Sequence, residues 1–390
     1  MQPANRLAGI ELSLIRQINA LATPLTVNLG IGEPNVEPDE TLHEMARRAA
    51  TTSWKYTANA GNLSLRKKLA ENPNEVCITA GTEEGLYSII QAFVNDGDEV
   101  LVPNPGFVSY ATLAKLAGAT PVPYDLNVGR ASARPENAET AEDVEAAGLK
   151  PGLHSWRLDA DAVLKKVNKR TKLIIVNSPS NPLGCVIDEE TLRAIANSGP
   201  LVVSDEVYRE IWYDAPPPSM RGMSENVILV GGMSKSHSMT GLRLGWIIAD
   251  EAILKPIVTA HQYIATCASA FSQTLAEMIL TDGEWNAGWL ERMRAQFRDQ
   301  RDTALYAIER ELDAKIDPPR GAFYAFVPVP FCGSLEFAKL LATEAAVLVI
   351  PGIAFGSLGE GFVRISYAAS QEQVGSGIER IGRYLRSIGK

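Results

Sequence analysis

Cysteine is scarce in this sequence: Cys77, Cys185, Cys267 and Cys332 lie far apart, with no CxxC pair and no neighbouring histidine pair. That spacing points to neither a disulfide framework nor a zinc site, and reduced cytosol is the natural compartment. Basic charge is not in excess. Lys and Arg number 37 against 46 Asp and Glu, a formal charge of -9, so nucleic acid is not an expected partner. Long apolar runs are missing too: none approaches the roughly 18 to 20 residues that span a bilayer, and Leu173–Val176 is only strand-length. Arg6, Glu11 and Arg16 fall inside the first apolar stretch and interrupt the core that a secretory signal needs. No membrane partner is expected, and no repeat or low-complexity tract is visible.

What is present is a chain of 390 residues, 46% hydrophobic and 21% charged, the balance of a globular protein with room for more than one domain. Leu7, Ile10, Leu14, Ile15, Ile18 and Leu21 recur at helical spacing, predicting an amphipathic N-terminal helix whose apolar stripe needs a surface, on this chain or on a second copy. Short apolar strands then alternate with helical stretches. Val76–Thr79, Glu99–Val102, Lys172–Asn177, Leu201–Ser204, Val227–Val230 and Leu244–Ile248 read as strands. The fold class expected is α/β, a mostly parallel open sheet with helices on both faces.

Beyond Glu251 the pattern is helical to about 312, and Ala322–Val327, Val347–Ile350 and Phe362–Ser366 read as strands of a smaller α+β domain. The division expected is an N-terminal arm over 1–25, a small domain from 26–48 with 285–390, and a large domain over 49–284. A stretch rich in Ala, Glu, Gly and Pro at about 126–157 has no clear period and reads as an excursion from the sheet, a loop or lid near the expected substrate mouth.

Ligands of open α/β sheets bind beyond the carboxyl ends of strands, so the chemistry is sought there. Asp205 directly follows an apolar strand and Tyr208 comes one short turn later; a strand-end carboxylate is by itself no more than a helix cap. Lys235 is different in kind. It lies in Gly231-Gly232-Met233-Ser234-Lys235-Ser236, a small Gly/Ser-rich turn after a strand, with Arg243 preceding the next strand. Partial desolvation of such a lysine leaves the free amine that a Schiff base with a carbonyl requires. Upstream, Thr79-Ala80-Gly81-Thr82 leads from a strand into a helix whose first N–H groups suit a phosphate, or simply an ordinary N-cap. In Asn177-Ser178-Pro179-Ser180-Asn181-Pro182-Leu183-Gly184, prolines and a glycine fix an irregular loop that holds Asn181 at the sheet edge.

Taken in order, Gly30-Ile31-Gly32-Glu33-Pro34, Tyr56, Gly81-Thr82, Asn104-Pro105-Gly106-Phe107, Asn181-Pro182-Leu183-Gly184, Asp205-Glu206-Val207-Tyr208, Ser234-Lys235 with Arg243, and Phe362-Val363-Arg364-Ile365-Ser366 resemble the class I and II aminotransferases. These are fold-type I enzymes that use pyridoxal 5'-phosphate (PLP). The resemblance covers nearly the whole chain. It implies that Lys235 forms the aldimine with PLP and later moves a proton as general base, and that Asp205 pairs with the pyridine nitrogen. Asn181 and Tyr208 then hydrogen-bond the phenolic oxygen, and Phe107 stacks on the ring. Arg243, Gly81, Thr82 and Ser234 hold the phosphate, joined by Tyr56 from the neighbouring subunit of a homodimer. Arg364 grips the substrate α-carboxylate, with Asn181 beside it and the backbone of Gly32 close by.

The implied reaction moves an amino group from an L-amino acid to a 2-oxo acid. A β- or γ-eliminating lyase or synthase on the same fold is the alternative, and a non-catalytic regulatory relative ranks last because the lysine is present. Gly232 departs from the family, which commonly has Ser or Thr there, so one phosphate hydroxyl is missing. No arginine occurs in Tyr263–Phe271, where aspartate-type relatives carry one. Aspartate and glutamate are therefore less favoured, unless Arg221 or Arg134 substitutes.

Overall fold

The computed structural model describes residues 4–52, 54–128 and 156–390. Their strands, in chain order, are β1 (Val27–Asn28), β2 (Val76–Thr79), β3 (Glu99–Asn104), β4 (Thr120–Asp125), β5 (Asn127–Val128), β6 (Trp156–Arg157), β7 (Thr171–Asn177), β8 (Leu201–Asp205), β9 (Val227–Gly232), β10 (Gly245–Ile248), β11 (Tyr324–Pro328), β12 (Val347–Leu348), β13 (Ile350–Pro351) and β14 (Phe362–Ser366). Seven form a central sheet in the order β2-β10-β9-β8-β7-β3-β4. The pairings β9-β8, β8-β7, β7-β3 and β3-β4 are parallel. Only β10 runs against its two neighbours.

Alternate residues of these strands serve opposite faces, as the pleat requires. Val100, Val102, Leu173, Ile175 and Val203 pack with the helices Thr82–Phe93, Val108–Leu116 and Glu251–Ala265. Leu101, Ile174, Val176 and Val202 join the core on the other side. Burying such a side chain is worth roughly 1.5–3 kcal/mol, so a sheet covered on both faces follows from near-continuous apolar strands.

β4 escaped the sequence reading because Thr120-Pro121-Val122-Pro123 carries two prolines. It is one of the two edge strands, the place where a residue without an N–H donor is tolerated. The predicted N-terminal helix is also shorter than its stripe: Leu14–Asn19 is helical, begun by Ser13, whose side chain accepts from Arg16 N–H, while Gly9 upstream has a φ of 72°.

A second sheet, β11-β14-β13, is antiparallel throughout. It packs with the 30-residue helix Gly283–Leu312 and with helices Ser334–Glu344 and Gln371–Ser387. β1 pairs in parallel with β12, which brings the N-terminal loop after residue 28 to this part of the chain. The excursion leaves and rejoins through the antiparallel pair β5-β6, with Trp156 seated edge-on against Phe326 and Phe362; its residues 129–155, Arg134 included, lie outside the described residues. Thr79, Asn104, Asn177, Asp205 and Gly232 close β2, β3, β7, β8 and β9, so the carboxyl ends of these strands define one rim. Among the described residues no helix is long and apolar enough to cross a membrane.

Candidate active site

Lys235 sits in the single turn Met233–Ser236 that follows β9, and its Nζ donates to the Gly32 carbonyl at 2.8 Å. Burial is the largest influence on the amine and pulls its pKa down to about 8; Arg364 and Arg243 push the same way, against Glu33 and Asp205. The turn is braced from behind. Trp289 Nε1 donates to the Ser236 carbonyl at 2.8 Å, and His237 lies 2.8 Å from both Ser236 Oγ and Asn286 Oδ1. Burial lowers the His237 imidazole to about 4, so it braces as a neutral ring.

Asp205, the last residue of β8, is fully enclosed. Tyr110 Oη donates to its Oδ2 at 2.7 Å and Val207 N–H to its Oδ1 at 3.2 Å. Burial pushes its carboxyl up to about 6, and the two hydrogen bonds limit the rise. A cation facing the free side would favour the ionised form further. Phe107, at the start of helix Val108–Leu116, meets Tyr110 edge to face at 5.6 Å. Asn177 Nδ2 donates to the Asp205 carbonyl and its Oδ1 accepts from Asn181 N–H, so one amide ties β7, β8 and the Asn181 loop together.

Arg364 enters from β14. Its Nη1 donates to Asn181 Oδ1 at 2.8 Å and its Nη2 to the Gly30 carbonyl; its Nε is buried without a partner among the described residues. The guanidinium lies 4.4 Å from the Tyr324 ring and 4.9 Å from that of Phe355, a setting that favours a planar cation. Tyr208 and Tyr324 share a hydroxyl hydrogen bond of 2.8 Å. A Cβ at Gly32 would fall 2.1 Å from Tyr324 Oη, which is why a glycine stands there.

The third part of the site is a cup. Gly81, with a φ of 91°, would place a Cβ 2.5 Å from Arg243 Nη2, and Gly245 would place one 2.7 Å from the Thr82 N. Glycine therefore lets the Arg243 guanidinium and the first N–H groups of helix Thr82–Phe93 converge, with Ser234 buried at the start of the Lys235 turn. A Cβ at Gly232 would lie 2.9 Å from the Leu244 carbonyl. The hydroxyl residue usual at that position would have to move β10, so its loss fits the local packing.

The structure thus gathers Gly32, Asn181, Asp205, Tyr208, Lys235 and Arg364, with Phe107 beside Tyr110, and sets Gly81, Thr82, Ser234 and Arg243 in the adjoining cup. Tyr56 stands apart. Its side chain is 87% exposed in a cleft of about 420 Å³ shared with Trp54, Cys267 and Phe271. Arg221 is elsewhere too, beside the start of β9 and the end of β10, where it donates to the Leu69 carbonyl. Tyr110, Asn177 and Tyr324 also belong to the site, and nothing in their local sequence marks them. Tyr110 reads as one more apolar position of a helix and Tyr324 as one of a strand; only tertiary structure turns their hydroxyls inward.

A half-buried amine, an enclosed carboxylate and a glycine-lined cup ending in an arginine make a donor set that fits PLP, which brings an aldehyde, a ring nitrogen and a phosphate. Residues 25–381 match the family model "Aminotransferase class I and II", and the chain belongs to that family. It is 33% identical to an aspartate aminotransferase of Pyrococcus horikoshii, over 98% of this chain and 97% of the other. It is 34% identical to an aromatic-amino-acid aminotransferase of Thermococcus litoralis, over 99% of both. The aspartate aminotransferase of Thermus thermophilus solved with maleate superposes with a TM-score of 0.86 at 29% identity, covering 98% of this chain and 99% of that one. The protein is accordingly a PLP-dependent aminotransferase with the fold-type I architecture.

Proposed function

We propose the following roles for the residues of this site in transferring an amino group between an L-amino acid and a 2-oxo acid. The observation that carries the reading is the half-buried Lys235 amine, which donates to the Gly32 carbonyl at 2.8 Å, feels Asp205 and Arg364 nearby, and is lowered to about 8, chiefly by desolvation. PLP supplies an aldehyde for a primary amine and a ring that takes up electrons from a substrate carbon. Lys235 would offer that amine and, as a free base, would move a proton to and from the substrate carbon. Asp205 holds negative charge against the pyridine nitrogen and keeps it protonated. Asn181 and Tyr208 hydrogen-bond the phenolic oxygen, Phe107 fixes the plane of the ring, and Gly81, Thr82, Ser234 and Arg243 hold the phosphate.

Arg364 presents its guanidinium to the α-carboxylate, with Asn181 and the Gly32 backbone alongside. Tyr208 can accept from Tyr324 Oη while its own hydroxyl donates to the cofactor, since a phenol does both. The exposed ring of Tyr56 and its cleft support a homodimer in which each Tyr56 completes the phosphate site of the second copy. The same reading takes 49–284 as the cofactor-binding domain, 26–48 with 285–390 as the small domain, and 1–25 as an arm. Four free thiols suit the cytoplasm.

The test is an amino-donor panel on the purified holoprotein with 2-oxoglutarate as acceptor. Stoichiometric conversion of donor to 2-oxo acid is the expected result. Release of ammonia or thiol in its place would transfer the site to elimination chemistry.

A further inference from the structure

The helix that opens at the cup carries two acids in its first turn, Glu83 and Glu84, at the end where a phosphate dianion is to sit. Negative charge there competes with the phosphate for the positive end of the helix. Glu84 is held back from that competition. Its Oε2 accepts from Ala80 N–H at 3.1 Å, its Oε1 from Ser88 Oγ, and His261 Nδ1 lies 3.0 Å from both oxygens. Burial pushes the Glu84 carboxyl up, but the His261 and Ser88 hydrogen bonds outweigh it and leave the group below its ordinary range, so the charge is present.

His261 belongs to the helix Glu251–Ala265 and is wholly buried. Its Nε2 has no partner among the described residues. As core filler a histidine with an orphaned nitrogen is costly, and an aliphatic side chain would serve better. Its Nδ1–H, a donor in either protonation form of the ring that makes this contact, draws both carboxylate oxygens toward the second helix. The same carboxylate fixes Ala80 N–H, and with it the turn that presents Gly81 and Thr82.

We propose that His261, acting through Glu84, is a positioning residue for the cup and sets how tightly it grips the phosphate of PLP while leaving the amine chemistry of Lys235 unchanged. This rests on the cofactor reading of the site. The test compares the affinity of the full-length protein for PLP with its affinity for pyridoxal, which lacks the phosphate, alongside thermal melting of the cofactor-free form. H261L should weaken PLP binding about tenfold, the lower end of what a hydrogen bond to a charged group is worth, and leave pyridoxal binding alone. H261N, whose amide nitrogen falls close to the position of Nδ1 and can still donate, should keep the wild-type ratio. E84Q/H261L, which removes the charge along with its restraint, should recover most of the loss.

Should leucine not be accommodated, H261A is measured in the same way. Equal weakening of PLP and pyridoxal by H261L, or a double variant no better than the single one, would overturn the proposal while leaving the cofactor reading intact. Failure of the unaltered protein to bind PLP would overturn both.

Discussion

At the end of the site proposed to hold the phosphate, Gly81, Gly232 and Gly245 leave no room for side chains, and the donors on offer are the first N–H groups of a helix together with Arg243. At the end proposed for the substrate carboxylate, Arg364 is wedged between two aromatic rings and held by Asn181 and the Gly30 carbonyl. The first end spreads the grip on an anion over backbone that cannot be mutated away. The second concentrates it in one buried cation, whose partners Gly30, Asn181 and Tyr324 come from three distant segments and Phe355 from the chain just before it. Loss of a side chain should therefore be tolerated far better at the first end than at the second.

The largest expected effect is at the concentrated end. R364L should lower kcat/KM by about a thousandfold, since removing one member of a buried charged pair costs several kcal/mol. The loss should appear chiefly in KM for the amino donor, and the visible absorption of bound PLP should persist. A change below tenfold would show that another group meets the α-carboxylate.

Between the two ends, Asp205 ties stability to pH. Its carboxyl is raised to about 6 in the cofactor-free fold against an ordinary value of 3.8, so the folded state holds the proton more tightly than the unfolded one. Its contribution is therefore complete below about 4 and lost as pH rises through about 6, amounting to roughly 3 kcal/mol. Thermal melts of the cofactor-free protein should show this decline between those pH values, and D205N should lack it. Parallel curves for the two proteins would contradict the burial argument.

The smallest effect is expected at the distributed end. R243L should weaken PLP binding only about tenfold, because the helix N–H groups remain, with kcat at saturating PLP little altered. A loss as deep as that of R364L would erase the contrast.

The same contrast runs through the sequence itself. The cup is local: Gly81-Thr82 and Gly232–Gly245 are short runs whose glycines and single arginine mark a turn after a strand, and the sequence carries them in plain view. The central strands are equally legible, because burial on both faces leaves near-continuous apolar runs such as Lys172–Asn177. The carboxylate corner is another matter. Asn181 stands out by its rigid Pro/Gly loop, but its role and Arg364 altogether come from the resemblance, while Tyr324, which packs against Arg364 and lies close to Gly32, looks like any aromatic residue of a strand. Tyr110 hides its bond to Asp205 in the same way. β4 was missed because propriety at a sheet edge depends on having no neighbour on one side, and a strand does not encode its neighbours.

The central claim is that the ε-amine of Lys235 carries the cofactor. Borohydride reduction of the holoprotein, followed by peptide mapping, tests it most directly. The account predicts a single phosphopyridoxyl group on Lys235 and loss of the visible band; modification of a different lysine, or an unmodified Lys235 in protein that retains PLP, would contradict it.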